Sequence, residues 1–185
     1  MSKKQVGIVV GSLREGSFSK AVGHYMADLL AGDFDVHTID ISDLPIYNQD
    51  IEGGDATPAA WTRFRADVAP LDAVLFITPE YNRSMPAVMK NALDVGSRPY
   101  GASAWAGKAG AVISVSPGAL GAFGANHHLR QVATFLDIAM MQQPEAYVGN
   151  IANALSDGVM KDESVKGFLA TFAQAFTQWV TRVSG

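Results

Sequence analysis

The chain has 185 residues, 48% hydrophobic and 17% charged, which is enough for one domain with a sizeable core and excludes a disordered chain. Its 14 Lys+Arg against 18 Asp+Glu give a net charge of −4, so there is no basic surplus for nucleic acid or an anionic membrane. It has no cysteine, which excludes disulfides, thiol catalysis, iron–sulfur clusters and cysteine-based zinc sites.

The start, Met1-Ser2-Lys3-Lys4-Gln5, is basic like a signal peptide. The apolar run that follows is too short for one and reads as a buried strand, Val6–Val10. No apolar stretch approaches the roughly 18–20 residues that span a bilayer, so the expected compartment is the cytoplasm. Ser19 to about Leu30 predicts a helix with Val22, Tyr25, Met26, Leu29 and Leu30 on one face and Gly32 as its stop. Phe34–Ile39 predicts a second strand, and Leu44–Asn48 a loop. Thr57-Pro58 opens a second helix with Pro at its first position and Trp61, Phe64 and Val68 at helical spacing. Ala73–Ile77 is a third strand, and Pro86 starts a third helix carrying Val88, Met89, Ala92 and Leu93.

Ala109–Val115 predicts a fourth strand, followed by the glycine-rich Ser116–Gly121. A helix is expected from about Asn126 to Asp137, and a fifth strand within Ala139–Val148, where Pro144 obscures the limits. The last helix carries an apolar stripe from Val165 through Phe172 and Phe176 to Val183, read as core. There is no repeat or linker, so residues 1–185 form a single domain. Five strands alternating with five helices predict an α/β fold. It has a five-stranded parallel sheet and, through right-handed crossovers, helices on both faces.

Such sheets bind ligands beyond the carboxyl ends of their strands. Three loops there carry the polar residues. The first, Gly11–Ser19, offers three hydroxyls, two glycines and Arg14 at a helix N-terminus, the parts of a phosphate cradle. It is neither a Gly-x-Gly-x-x-Gly nor a Walker loop. It reads equally as an ordinary strand-to-helix connection with Ser17 or Ser19 as N-cap.

The second loop, Thr78–Pro86, holds Tyr81 as an aromatic face and Asn82 as an amide, and reads otherwise as a turn capped by Ser84. The third, Ser114–Gly121, lets a ligand approach its backbone, or is a flexible connection. In the strand order 2-1-3-4-5 the three loops meet at one end of the sheet. A phosphate site beside an aromatic and amide platform suits a mononucleotide with a flat ring, such as FMN.

The motifs Gly11-Ser12-Leu13-Arg14-x-x-Ser17, Pro79-Glu80-Tyr81-Asn82-x-Ser84-x-Pro86 and Lys90-Asn91-Ala92-Leu93-Asp94 resemble the NAD(P)H-dependent FMN reductase family, in its chromate- and quinone-reducing branch. The similarity runs through His128-Leu129-Arg130-Gln131 and Gln143-Pro144-Glu145, over essentially the whole chain. It implies a flavodoxin-like three-layer sandwich, noncovalent FMN, NAD(P)H as cosubstrate, and a homodimer or homotetramer. Arg14–Ser19, with Phe18 inside that stretch and Ser12 before it, would hold the FMN phosphate. Pro79, Glu80, Tyr81 and Asn82 would line the isoalloxazine. Ser116 and Gly118 would meet the flavin from the third loop. Relatives usually have Asn where Ser19 stands.

The implied reaction passes electrons from NAD(P)H through the flavin to quinones, chromate or similar small acceptors, with ping-pong kinetics. The chemistry belongs to the flavin, so no catalytic side chain is assigned. Arg83 either tunes the flavin and attracts anionic acceptors or is a solvated loop arginine. His24, His37, His127 and His128 have no metal spacing and read as structural or interfacial. The rival is a flavodoxin-type electron carrier, which the modest acidity and the Pro79–Asn82 motif disfavour. A receiver-like domain would need acidic residues where Gly11-Ser12-Leu13-Arg14 stands.

Overall fold

Continuous runs of branched and aromatic residues build the sheet. The computed structural model describes residues 2–185. The elements run β1 (Lys4–Val10), α1 (Phe18–Leu30), β2 (Phe34–Ile39), α2 (Ala59–Val68), β3 (Ala73–Thr78), α3 (Ala87–Gly96) and β4 (Ala109–Val115). Then follow α4 (Phe123–Phe135), β5 (Ala139–Met140), β6 (Ala146–Val148), α5 (Ile151–Ala154), β7 (Leu155–Ser156), β8 (Val159–Met160) and α6 (Glu163–Val183).

The main sheet is parallel in the order β2-β1-β3-β4-β5, with β6 also paired to β4. This is the expected winding. The expected fifth strand is two short pieces, because Gln143-Pro144 leaves the ladder between them. The hairpin of β7 and β8 and the short α5 had no signal in the pattern. Pro58 and Pro86 stand just outside their helices rather than at the first position. The fourth helix starts three residues earlier than expected and ends at Phe135 rather than Asp137.

Strand side chains alternate between two cores. From β3, Ala73, Leu75 and Ile77 face a cluster with Val22, Met26, Phe172 and Phe176 of α1 and α6. Val74 and Phe76 face Trp61, Phe64, Leu93 and Trp105 on the other side. Each fully buried large side chain contributes roughly 1.5–3 kcal/mol. The α6 stripe is core as expected except Phe168, which is exposed.

The register decides where the loops emerge. Val9 pairs with Ile39, Val10 with Ile77, and Ile77 with Ile113. The carboxyl ends of four strands are therefore level, and the loops that follow them share one edge of the sheet.

Candidate active site

At that edge the loops after β1, β3 and β4 enclose a cleft of about 220 Å³. The first loop contributes Ser12, Arg14, Ser17, Phe18 and Ser19. Pro79, Glu80 and Tyr81 come from the second, and Ser116 from the third. Asn82, Arg83 and Gly118 lie outside it. Val115 and Pro117 also line the cleft, and neither had been singled out. Their place beside Ser116 in the third loop was the available signal.

The capping reading of the first loop holds, at Ser17 and not at Ser19. Ser17 is the N-cap of α1, its hydroxyl accepting from the amide of Lys20 at 3.3 Å. The amides of Phe18 and Ser19, in the first turn, have no acceptor among the described residues. Ser12 and Ser19 are 6% and 2% exposed, yet neither hydroxyl has a hydrogen-bond partner among the described residues. Both line the cleft. Arg14 is exposed and makes no ion pair among the described residues. Free amides at a helix N-terminus, open hydroxyls and an unpaired guanidinium form a donor set that fits a phosphate monoester.

The second loop is a hairpin. Tyr81 and Ser84 exchange both backbone hydrogen bonds, at 2.9 and 3.0 Å. Asn82 and Arg83 between them have φ of 50° and 66°, as a two-residue primed turn requires. Ser84 therefore closes this hairpin and does not cap α3. Tyr81 lines the cleft and is 53% exposed, so its ring is open to a ligand. The Arg83 side chain is 76% exposed and lies 3.3 Å from the Glu80 carboxylate.

Helix α4 holds the hairpin in place. Its N-cap, Ala122, offers no side-chain acceptor. Glu80 supplies one, accepting from the amide of Ala125 at 3.1 Å. Ser84 Oγ lies 2.9 Å from His128 Nδ1. A side chain at Gly124 would come within 2.8 Å of the Arg83 carbonyl oxygen and 3.0 Å of Glu80 Oε2. His127 turns the other way, its Nε2 2.9 Å from the Tyr147 hydroxyl. Burial, and next the neighbouring Glu145, push the Tyr147 hydroxyl up to about 12. Among the described residues no cluster of acidic residues and histidines could hold a metal.

The third loop is not a flexible connection. Ser116 Oγ accepts from Gly118 N at 3.0 Å, and the carbonyls of Ser116 and Gly118 accept from Ile151 N and Asn150 N. Gly121, at φ 58°, leaves no room for a Cβ against the Tyr147 backbone.

Residues 5–153 match the model of the NADPH-dependent FMN reductase family. The chain belongs to that family. It is an oxidoreductase, with FMN as cofactor and NAD(P)H as electron donor. It is 50% identical to a quinone reductase of Pseudomonas putida, over 95% of this chain and 94% of that one. A 2-hydroxy-1,4-benzoquinone reductase from a Burkholderia species is 43% identical over 95% and 96%. Among solved structures, FerB of Paracoccus denitrificans, described as a flavoenzyme NAD(P)H:(acceptor) oxidoreductase, superposes with a TM-score of 0.90. Its identity is 39%, over 97% of this chain and 98% of FerB. A flavodoxin from Pseudomonas aeruginosa shares the fold, with a TM-score of 0.56 at 19% identity over 93% and 98%. No helix among the described residues is long and apolar enough to cross a membrane.

Proposed function

We propose that the three-loop cleft binds FMN noncovalently and that the protein reduces quinones and similar small acceptors at the expense of NAD(P)H. One observation carries the binding site. The buried residues Ser12 and Ser19 turn unpaired hydroxyls into the same cleft as Arg14 and the free amides of α1. Opening onto the cleft beside a cationic side chain and a helix N-terminus, these hydroxyls complete a donor set suited to a phosphate. Ser12, Arg14, Ser17, Phe18 and Ser19 hold the phosphate end. Pro79, Glu80 and Tyr81 flank the ring, with Ser116 on the far side. Bound FMN supplies a carrier that accepts hydride from a nicotinamide and releases electrons to an acceptor.

The chain's own residues orient and shield. The cleft is smaller than the roughly 300–1,000 Å³ of typical small-molecule sites, so part of the cofactor stays open to reactants. Donor and acceptor then take turns at one open face, and ping-pong initial rates follow. Arg83, exposed at the hairpin tip, attracts anionic acceptors such as chromate. The quinone assignment draws on the named activities of the Pseudomonas and Burkholderia relatives. We place the protein in the cytoplasm as a homodimer or homotetramer.

The test is the visible spectrum of the purified protein, followed by anaerobic bleaching with NADH or NADPH and turnover with a free quinone. A flavin spectrum, bleaching and parallel-line kinetics are expected. Colourless protein that takes up no FMN at micromolar concentration overturns the binding site. Bleaching without turnover on a free quinone indicates an electron carrier. Arg83→Ala should raise KM for chromate more than for a neutral quinone, and equal changes would remove its role in attracting anions.

A further inference from the structure

We propose that a second cavity, between the start of α1 and the end of β2, takes the adenosine half of NAD(P)H. The proposal rests on the reading that the nicotinamide half reacts at the three-loop cleft. The cavity measures about 480 Å³, within the range of small-molecule sites.

Its origin is one short side chain. Along β2, Phe34 and Val36 pack toward α1. Thr38, next on that face, is short and exposed. Gly23 of α1 also lines the space; a Cβ there would meet Val10 Cγ2 at 3.1 Å, so the helix lies close on the sheet beside it. The slot left between helix and sheet has Ile8 and Val10 among its lining residues.

Its remaining groups are polar. Lys20 uses one of its three donors on the Leu13 carbonyl, at 3.2 Å. The His24 ring and the Thr38 hydroxyl have no hydrogen-bond partner among the described residues. The amide of Ser42 donates to Asp40 Oδ1 at 2.9 Å. That bond first, and Arg63 further off, hold the Asp40 carboxyl below its usual range, so it stays ionised at neutral pH. An apolar slot with a carboxylate for a ribose diol and a lysine and imidazole for phosphate is the chemistry of a purine nucleotide site.

Placement connects this cavity to the cleft. Val9 lies beside Ile39, so Asp40 emerges level with the Gly11–Ser19 loop. An acidic residue ending the second strand, beside an anion-binding loop after the first, is how doubly wound sheets hold the ribose of a dinucleotide. Ser12 lines both spaces, so a single loop divides them. At about 4.8 Å per strand, the ends of β2 and β3 are roughly 10 Å apart, a distance an extended dinucleotide spans.

The test compares two donors on FMN-loaded protein: NADH, and reduced nicotinamide mononucleotide, which lacks the adenosine half. Thr38→Leu fills the slot, and Lys20→Glu reverses the charge at its edge. Each should lower kcat/KM for NADH about tenfold, or more, while FMN content and kcat/KM for the mononucleotide hold. Calorimetry with ADP-ribose should show binding to the wild type and at least tenfold weaker binding to Thr38→Leu. Equal losses with both donors, an unchanged NADH rate, or undiminished ADP-ribose binding would each overturn the proposal. Wild-type protein that takes up no FMN would instead sink the cleft reading, while the ADP-ribose titration still decides the cavity.

Discussion

The two ends of the sheet treat polar groups in opposite ways. At the amino end every prominent one is paired. Buried Lys108 donates to the carbonyls of Ala69 and Leu71. Asp72 accepts from the amide of Gln5 at 2.7 Å, and Lys4 donates to Ser184. At the carboxyl end, Ser12, Ser19, Arg14 and the first amides of α1 wait without partners. Closed networks mark the end that carries stability, and open ones the end that carries binding. The ends should therefore fail differently when mutated.

The largest effect belongs to the closed end. Lys108→Ala leaves the buried Leu71 carbonyl without its partner and should cost about 2–3 kcal/mol in urea unfolding, with FMN affinity unchanged in the folded fraction. At the open end, Arg14→Ala should raise the FMN Kd by about tenfold while apo-protein Tm moves little. Unchanged FMN affinity would dissolve the contrast.

The hairpin latch tests a middle case, where stability and binding share a residue. Glu80→Ala uncaps α4 and should cost about 1 kcal/mol, with a further several-fold loss of FMN affinity. Loss of stability alone would assign Glu80 to the scaffold.

The smallest effect is a pH slope. In the unfolded chain Tyr147 loses its proton near pH 10, and in the folded protein only near 12. The folded state then binds the extra proton, so stability falls as pH rises through that window. Tyr147→Phe should unfold with a shallower slope there. Parallel slopes for the two proteins would refute the shifted hydroxyl.

Where local chemistry sets structure, the sequence was readable. Phe34–Ile39 and Ala109–Val115 are strands with the expected limits, and the winding order places the three loops together. Distant partners hid the rest. The α4 start was missed because its capping carboxylate, Glu80, lies 45 residues upstream. Ser84 looked like a helix cap, but its cross-turn bonds to Tyr81 put it in a hairpin. Asn82, Arg83 and Gly118 sit in the expected loops but outside the cleft lining, and only the turn geometry shows that the first two form a hairpin tip. The cavity at Thr38 left no motif, since it comes from one short side chain among residues of different elements.

Gly121 and Gly149 give the molecule a dovetail. A Cβ on Gly149 would sit 2.6 Å from the Ala119 carbonyl oxygen, and one on Gly121 2.5 Å from the Tyr147 carbonyl carbon. The two strips of main chain are interlocked without bulk between them. A designer who wishes to graft a new acceptor specificity onto the segment after β4 must transplant residues 147–150 along with it, as one cassette.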